Sequence, residues 1–465
     1  MKLPKLTSLV RWMLLLLITV SAIGWSGVTV AQERLTGVIV QERPSAAPFD
    51  FQGRFIVSVS DADMLPSAYI DDKLGPIDGA DALSIIRLDR AGRELRAIET
   101  PVSNSVTGPP AVIAVTPDGR YAIVIETRGQ RPTTADPRLS DLALGRTISV
   151  VDLTDLDQPQ VVQRVQGFEQ PLSVSINFNG SLVAVSYDPG GAGKTTPLAI
   201  YRFSDGRLSA PVTPQIPDWR TEDTLIHVEW HPKENILALL NVNKPSISFM
   251  RVANAGSQIS LLRWGNSVSV EKAPFLVRFT PDGRHIISNS SYVRIDGVQV
   301  LPSASLRGTV QSIRLVAETA ADGSPVHQLA SRAATSSIPE GLSISPDGRY
   351  VVTTNLEQSS FALDDSKQGF FSSLTLLRLD PETGILESVG DFAFDGVLPE
   401  AAVFDNSSRF LAVTNFTFFD PNRKGGSIDF WGIVGDAFDP KRTELVKMNY
   451  STPVTRGAHS IAIVR

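Results

Sequence analysis

The chain has 465 residues, of which 42% are hydrophobic and 20% charged, and these proportions exclude a disordered, fibrous or multi-span membrane protein. It contains no cysteine, which excludes disulfides, thiolate metal sites, iron–sulfur clusters and a cysteine nucleophile. At about 150 residues per domain, the length predicts three domains unless the chain forms one of the large all-β folds. The 34 glycines and 31 prolines indicate many turns and favour that exception.

The first residues have the pattern of a secretory signal peptide. Three basic residues precede an apolar run at residues 12–23, and small residues follow up to Ala31. That run is shorter than the ~20 residues that a membrane-spanning helix needs. We therefore expect residues 1–31 to be a signal peptide that is cleaved after export, with a retained N-terminal anchor as the alternative.

Charge limits the partners of the mature protein. Cleavage removes three basic residues and changes the formal net charge from −6 to −9. An acidic chain without a run of Lys and Arg is poorly suited to nucleic acid or to anionic membrane surfaces, so we expect neither partner and no stable membrane insertion. We expect a monomer in the periplasm or outside the cell.

Nearly the same pattern recurs along the chain, with an apolar run, a Pro-Asp-Gly-Arg turn and a second apolar run. Three close copies lie at residues 115–121, 279–285 and 344–350. Weaker copies lie at residues 176–182, 230–236 and 404–410. Proline presets φ and glycine accepts a positive φ, so each copy predicts a β-hairpin. A third β-like run follows each hairpin.

These third runs occur seven times, one more than the hairpins. The extra copy is at the N-terminus, where residues 54–60 resemble a second strand without its first, whereas residues 457–465 resemble a first strand alone. Pairing these two segments would complete one sheet and leave no sheet edge open. We therefore predict an all-β, seven-bladed β-propeller over residues 50–465, closed by pairing the C-terminal strand with the N-terminal blade, with residues 32–49 as an N-terminal arm.

The repeat resembles a known family. The segments Pro-Asp-Gly-Arg-Tyr-Val-Val-Thr-Thr-Asn at residues 346–355 and Leu-Arg-Leu-Asp-Pro-Glu-Thr-Gly-Ile-Leu at residues 377–386 resemble the lactonase-type seven-bladed propellers and the related Tyr-Val-Thr-Asn repeat proteins. The resemblance covers nearly all of the mature chain. It implies a family that contains sugar-lactone hydrolases and muconate-lactonising enzymes beside members without an assigned activity.

One position of the repeat predicts a site at the central channel. In a propeller, the first strand of each blade lines the channel, and the compared position lies near the start of that strand. In chain order the position holds Ala111, Leu172, Ile226, Phe275, Glu340, Glu400 and His459. The three polar residues lie on consecutive blades, so two carboxylates and an imidazole could activate a water for ester or lactone hydrolysis. The alternative is that they only solvate a water-filled channel.

A second polar ring is predicted where the second strands end on the same face. It consists of Ser60, Glu126, Tyr187, Asn241, Ser290, Asn355 and Asn415. These side chains either bind a ligand or cap the strand ends, and we list Glu126, Tyr187, Asn241, Asn355 and Asn415 as candidate ligand-binding residues. Long loops with aromatic and charged residues follow several of these strands, and such loops are where binding specificity is commonly built.

Two motifs suggest chemistry that the local sequence does not support. The glycine-rich segment 190–195 has Asp188 where a phosphate loop needs glycine, and no helix pattern follows it. His227 and His231 would lie about 13 Å apart on a strand, too far to bind one zinc ion. His227 remains a candidate channel residue, although Leu225 stands where several lactonase-like propellers have the proline of a Pro-x-His start.

Two functions remain open at this point. We favour an exported propeller that binds a small molecule, glycan or protein at its loop-rich face. The alternative is a lactone or ester hydrolase that uses Glu340, Glu400 and His459 as catalytic residues. No Gly-x-Ser-x-Gly segment places a nucleophilic serine. The sequence names no haem ligand or quinone precursor, so we expect no cofactor and no metal.

Overall fold

Seven antiparallel sheets form the blades of a propeller in the computed structural model of the chain. The structure describes residues 50–88, 95–105, 107–188, 197–256, 258–291, 294–295, 298–299, 306–436 and 439–465. The predicted signal peptide 1–31, the predicted arm 32–49 and the glycine-rich segment 190–195 lie outside these residues.

Each blade has an inner, a second, a third and an outer strand. The inner strands, from blade 1 to blade 7, are β31 (Ala458–Val464), β4 (Ile113–Val115), β8 (Pro171–Ile176), β12 (Leu225–Trp230), β17 (Pro274–Phe279), β23 (Pro339–Ile344) and β27 (Ala402–Phe404). The second strands are β1 (Phe55–Ser60), β5 (Tyr121–Ile125), β9 (Leu182–Tyr187), β13 (Ile236–Asn241), β18 (His285–Ser290), β24 (Tyr350–Asn355) and β28 (Phe410–Asn415).

The outer half of each blade is less regular in length. The third strands are β2 (Ala82–Arg87), β6 (Thr147–Asp152), β10 (Leu198–Ser204), β14 (Ser246–Ala255), β21 (Arg307–Thr319), β25 (Ser372–Leu379) and β29 (Gly426–Asp436). The outer strands are β3 (Ala97–Pro101), β7 (Gln160–Gln166), β11 (Arg207–Leu208), β15 (Gln258–Arg263), β22 (Pro325–Ser337), β26 (Leu386–Phe394) and β30 (Asp439–Val454).

Five short elements of the described residues lie outside this pattern. Strand β16 (Val268–Ser269) adds to β14, and β19 (Arg294–Ile295) pairs with β20 (Val298–Gln299) in the loop after β18. Helix α1 (Ala68–Asp71) lies in the loop between β1 and β2, and a 3₁₀ turn spans Leu139–Asp141.

The C-terminal strand closes the ring, as the sequence predicts. Strand β31 pairs antiparallel with β1, from Phe55 opposite Val464 to Ser60 opposite Ala458. Each inner strand also contacts the inner strand of the next blade, including β27 with β31 and β31 with β4. The result is a continuous ring in which β1, second in its blade, has a neighbour on both sides.

The repeated Pro-Asp-Gly-Arg segments form the turns between inner and second strands. At the first copy, the hydroxyl of Thr116 donates to Asp118 at 2.6 Å and accepts the backbone N–H of Tyr121 at 3.0 Å. Gly119 has φ +73°, which explains why glycine follows the aspartate. At the fourth blade, His231 replaces the hydroxyl and its Nδ1 accepts two backbone N–H groups of the turn. These side chains therefore stabilise the end of the ring opposite the candidate site.

The hydrophobic core lies mainly between neighbouring blades, where strand faces of Val, Ile, Leu and aromatic residues pack. One cluster includes residues from several inner strands. Ala111, Ile226, Phe275 and Leu342 belong to it, and they come from inner strands or strand starts of blades 2, 4, 5 and 6. Three of the four apolar residues at the compared position thus share this cluster.

Candidate functional site

The position that the repeat singles out is a β-bulge. Pairing between inner and second strands skips Leu172, Ile226, Glu340 and His459, and a similar shift occurs between Pro274 and Val277. A bulge adds one residue to a strand and turns a side chain away from the regular alternation. The local sequence therefore places one irregular residue at the same level on five of the seven blades.

A left-handed backbone residue precedes most of these positions by two residues. Its φ is +57° at Gln170, +51° at Ala273, +55° at Ile338, +49° at Leu398 and +89° at Gly457. A positive φ is uncommon outside glycine and is unfavourable for a β-branched residue such as isoleucine. Because the feature recurs ahead of both Glu340 and Glu400, it is part of how the fold presents the two carboxylates.

The inner strands of blades 6 and 7 approach each other closely beside the two glutamates. A side chain at Gly341 would place its Cβ 2.6 Å from the backbone oxygen of Glu400 and 3.1 Å from the Cα of Ala401. The N–H groups of Gly341 and Ala401 each bond to a threonine hydroxyl of the second strand at 3.0 Å. Only glycine fits at position 341, and its absence of a side chain lets Glu340 and Glu400 become neighbours.

The two carboxyl groups influence each other and have little compensation. Glu400 is completely buried, and neither of its carboxylate oxygens has a hydrogen-bond partner. Burial, together with the charges of Glu340 and Asp61, raises the pKa of Glu400 well above its usual range. Burial raises the pKa of Glu340 to about 8. Burial thus favours the protonated form of both carboxyl groups at neutral pH.

A tyrosine from blade 1 reaches the same region. Burial raises the pKa of Tyr69 well above its usual value, and the charges of Glu400, Glu340 and Asp61 raise it further. Tyr69 also packs against the hydrophobic cluster that contains Ile338 and Leu398, the left-handed residues ahead of the two glutamates. The region thus brings together two glutamates, one aspartate and one phenol.

His459 makes its hydrogen bond to an asparagine. Its Nε2 lies 2.8 Å from Oδ1 of Asn104, whose Nδ2 donates to the backbone oxygens of Ser60 and Val102. Since the amide nitrogen of Asn104 is committed to two carbonyls, Nε2 of His459 is the donor and Nδ1 is the unprotonated nitrogen. Burial lowers the pKa of His459 to about 3, and no carboxylate among the described residues raises it. The structure therefore brings Glu340 and Glu400 together, and it ties His459 to Asn104.

His227 belongs to a different group on blades 4 and 5. Its Nε2 accepts a hydrogen bond from Nη1 of Arg278 at 3.0 Å, and the same Nη1 lies 3.2 Å from Glu229. Burial and the nearby Arg278 charge lower the pKa of His227 well below its usual value, so the imidazole is neutral. Burial raises the pKa of Glu229, whereas Arg278 lowers it. Arg278 is the only Lys or Arg on the seven inner strands, all of which the structure describes.

The five candidate ligand-binding residues of the polar ring at the ends of the second strands are buried, and each forms hydrogen bonds within the protein. Asn241 accepts the N–H groups of Asn243 and Lys244, and Asn415 accepts the N–H of Val397. Asn355 donates to Ser373 and Thr375 at 3.0 Å each. The two remaining candidates follow the same rule, since Glu126 accepts N–H groups of residues 146 and 147 and the hydroxyl of Tyr187 bonds to that of Tyr201. These contacts are those of strand-end caps, and the ligand-binding role remains a prediction.

Three aspartates could hold a divalent cation at the base of the loop between β1 and β2. Asp61, Asp63 and Asp81 each place a carboxylate oxygen within 4.8 Å of the others. Burial and the charges of Asp61 and Asp63 raise the pKa of Asp81 to about 8. Burial raises the pKa of Asp63, and the charges of Arg131 and Arg456 offset part of that rise. The cluster is thus partly balanced by guanidinium groups of the protein itself.

Sequence reasoning missed Tyr69 as part of the site, as well as Asp61, Asn104 and the Arg278–Glu229 pair. Tyr69 lies in one of the long loops that follow the second strands, where the sequence shows no repeat that would single it out. Arg278 and Glu229 carried a detectable signal, because each stands three residues beyond the compared position of its own inner strand. Reading a second position of the same repeat would have found them.

No protein-family model and no curated protein matches the chain. Among the described residues, no helix is both long and apolar enough to cross a membrane. Solved structures match over nearly their whole length. A "putative 6-phosphogluconolactonase" from Bacteroides fragilis has a TM-score of 0.56 at 14% identity, covering 91% of this chain and 100% of its own. A periplasmic gluconolactonase from Pseudomonas aeruginosa has a TM-score of 0.56 at 16% identity, covering 88% and 99%.

Another similar structure is described differently. A hypothetical selenium-binding protein from Sulfolobus tokodaii has a TM-score of 0.53 at 11% identity, covering 90% of this chain and 94% of its own. Identities at this level show a shared fold and do not transfer an activity. The chain is therefore a seven-bladed β-propeller, with the fold that these solved structures share.

Proposed function

We propose that the protein is a hydrolase of sugar lactones or related cyclic esters, with Glu340 and Glu400 as its catalytic pair. The observation that carries this proposal is the pairing of two buried carboxyl groups, one of which has no hydrogen-bond partner on either oxygen. Two neighbouring carboxyl groups with raised pKa values can hold one proton between them and can serve as acid and base in one reaction. The lactonase names of two similar structures support this choice over binding alone.

The environments of the two residues assign their roles. Glu400 is completely buried without a hydrogen-bond partner, and burial and the charge of Glu340 raise its pKa, so we assign it as the general acid. Glu340 retains some exposure, which a water molecule needs in order to reach it, and burial raises its pKa to about 8, so we assign it as the general base. The active form therefore has Glu340 ionised and Glu400 protonated.

In the proposed reaction, Glu340 and Glu400 supply and accept all the protons that are transferred. Glu340 removes a proton from a water molecule while the water oxygen attacks the lactone carbonyl carbon, and the carbonyl electron pair moves onto its oxygen. When the tetrahedral intermediate collapses, the bond to the ring oxygen breaks. That oxygen leaves with the electron pair and takes the proton of Glu400. One water is consumed, a hydroxy acid forms, and the pair still holds one proton.

The test is hydrolysis of a panel of sugar lactones by the mature protein and by Glu340→Gln and Glu400→Gln variants. We expect each variant to lower kcat about 10²- to 10⁴-fold. Glu357→Gln is the matched control, because Glu357 is also a buried glutamate on blade 6 but accepts a hydrogen bond from Ser373 at 2.6 Å. No hydrolysis by the unmodified protein, or equal rates in all four proteins, would refute the proposal.

The pH profile gives a second measurement. Because Glu340 must lose its proton, we expect kcat/KM to rise with pH through an apparent pKa near 8, the value to which burial raises this carboxyl group. The Glu340→Gln variant should lose this ascending limb. A profile that is flat between pH 6 and 9 in the unmodified protein would assign the base to another group.

Ligand binding without chemistry is the second candidate function, and an exposed aromatic group favours it. Phe370 is 61% exposed and its ring lies 5.5 Å from that of Phe419, while the guanidinium of Arg423 lies 3.5 Å above the ring of Phe418. These residues lie on the long loops of blades 6 and 7 and suit a sugar or another flat polar ligand. Thermal-shift screening of glycans, with Phe370→Ser as the variant, tests this function. We also infer export, which N-terminal sequencing of the mature protein would test.

A further inference from the structure

The loop between β1 and β2 extends from blade 1 to the glutamate pair on blades 6 and 7. Its residues Met64, Ala68 and Leu74 are buried in one hydrophobic cluster with Ile338 and Leu398. These last two residues lie two positions before Glu340 and Glu400, respectively. The loop is therefore packed onto the chain segments that position the catalytic pair.

Tyr69 is the residue that this loop places beside the pair. It lies in α1, it is half-buried, and it packs against the same hydrophobic cluster. The carboxylates of Glu400, Glu340 and Asp61 act on its phenol and, together with burial, keep it protonated. A phenol that does not ionise is a hydrogen-bond donor at every pH at which the pair can work.

Two arginines hold the ends of the loop together. Nη2 of Arg456 donates to the backbone oxygens of Ala62 and Pro76 at 2.7 Å each, and this arginine is only 4% exposed. Arg131 donates to the backbone oxygens of Asp63 and Gly75 from the other side. The two ends of the segment that carries Tyr69 are thus joined twice: Arg456 reaches two carbonyls from one nitrogen, and Arg131 reaches two carbonyls from its two terminal nitrogens.

We propose that Tyr69 is a further catalytic residue, which donates a hydrogen bond to the lactone carbonyl oxygen as negative charge develops there, and that Arg456 is its positioning residue. The phenol keeps its proton throughout, so no bond to it forms or breaks. Negative charge that develops beside two carboxyl groups needs a donor, and a rigid donor contributes most when the reacting atoms carry the most charge. This inference rests on the proposed hydrolase function.

The first test is the Tyr69→Phe variant, which removes only the hydroxyl. We expect kcat to fall about 10²- to 10³-fold, as when one donor to an oxyanion is removed, with KM changed less than threefold. The ascending pH limb near 8 should persist in Tyr69→Phe, because Glu340 still titrates, whereas it disappears in Glu340→Gln. Tyr350→Phe, on the same blade as Glu340 but at the opposite end of its sheet, is the matched control.

The second test asks whether Arg456 acts through Tyr69. Arg456→Met removes both hydrogen bonds to the backbone oxygens of Ala62 and Pro76, so we expect kcat to fall 10-fold or more. The double variant with Tyr69→Phe should be no slower than Tyr69→Phe alone, because the arginine acts through the tyrosine. Independent, multiplying effects would refute the positioning role.

The outcomes separate this inference from the proposed function. An unmodified protein without lactone hydrolysis would overturn both. Hydrolysis that requires Glu340 and Glu400 but is unchanged in Tyr69→Phe would overturn the role of the tyrosine alone. A Tyr69→Phe variant that raises KM and leaves kcat intact would make the phenol a substrate-binding group and would likewise contradict the proposal.

Discussion

Buried ionisable groups occur on two sides of the propeller channel, and the two sides balance charge in different ways. On blades 4 and 5, Glu229 is paired with Arg278 at 3.2 Å, and burial, together with the charge of the same arginine, lowers the pKa of His227. On blades 6 and 7, Glu340 and Glu400 have each other and Asp61 as charged neighbours. A carboxylate beside a cation stays ionised, whereas carboxyl groups beside one another must retain protons.

This difference separates a structural role from a chemical one. At Glu229, the charge of Arg278 opposes the rise in pKa that burial causes, so its ionised form has a compensation that Glu400 lacks. The Glu340–Glu400 pair is stable when it is at least partly protonated. A carboxyl group whose pKa lies near the working pH can both accept and release a proton. The candidate acid–base site is therefore on the side of the channel where charge is not balanced.

The largest expected effect is on the pH dependence of stability. In the native protein, Glu340 retains its proton up to about pH 8, whereas a glutamate of the unfolded chain ionises near pH 4. Between these values the native state binds more protons, so its stability is greatest at low pH and falls as pH rises. We expect the free energy of unfolding to decrease by about 3 kcal/mol from pH 5 to pH 8.

Urea unfolding at several pH values measures this slope. The Glu340→Gln, Glu400→Gln double variant should have a smaller slope, although Asp81, with its pKa raised to about 8, still contributes. A slope of the opposite sign would show that the pair is ionised in the native protein. The comparison between the two sides of the channel would then fail.

A smaller effect is expected on the balanced side. Arg278→Met leaves Glu229 buried without its cation, and we expect a loss of about 2 kcal/mol at pH 7, less than for a completely buried pair because both side chains keep some exposure. The Glu229→Gln, Arg278→Met double variant should regain most of that loss. If the double variant is as unstable as Arg278→Met, packing rather than charge accounts for the effect.

The smallest effect concerns the close approach of blades 6 and 7. Gly341→Ala places a methyl group 2.6 Å from the backbone oxygen of Glu400, so we expect a loss of about 1–2 kcal/mol. Gly390→Ala is the control, since its Cβ would meet its nearest neighbour, the ring of Phe392, at 3.4 Å. Chemical unfolding of both variants at pH 7 provides the measurement. Equal stabilities would show that the strands separate without cost.

The sequence was sufficient for the fold and for part of the candidate site. A repeat fixes the register of every blade, so Glu340 and Glu400 could be placed at one level of the ring before their neighbours were known. Gly341, next in sequence to Glu340, is where the two strands approach. The repeat therefore predicts the positions of residues on the inner strands and the contacts between those strands.

The contacts made by loops could not be predicted in this way. Asn104 meets His459 although 355 residues separate them, and Tyr69 reaches glutamates on blades 6 and 7 from blade 1. Tyr69 lies in the loop between β1 and β2, and Asn104 lies in the loop between β3 and β4. Neither loop follows the repeat, so its sequence contains no register from which a contact could be predicted. His459 shows the consequence, because its position in the repeat was read correctly while its hydrogen-bond partner lay in a segment without a pattern.

The pairing of β31 with β1 affects how the protein is made. Strand β1 leaves the ribosome roughly 400 residues before the partner that pairs with its inner edge. During that interval the edge is open to any other extended chain, which is a route to aggregation. A chaperone that shields this edge until residues 458–464 have been synthesised would raise the yield of the native protein more than one that acts on any other blade.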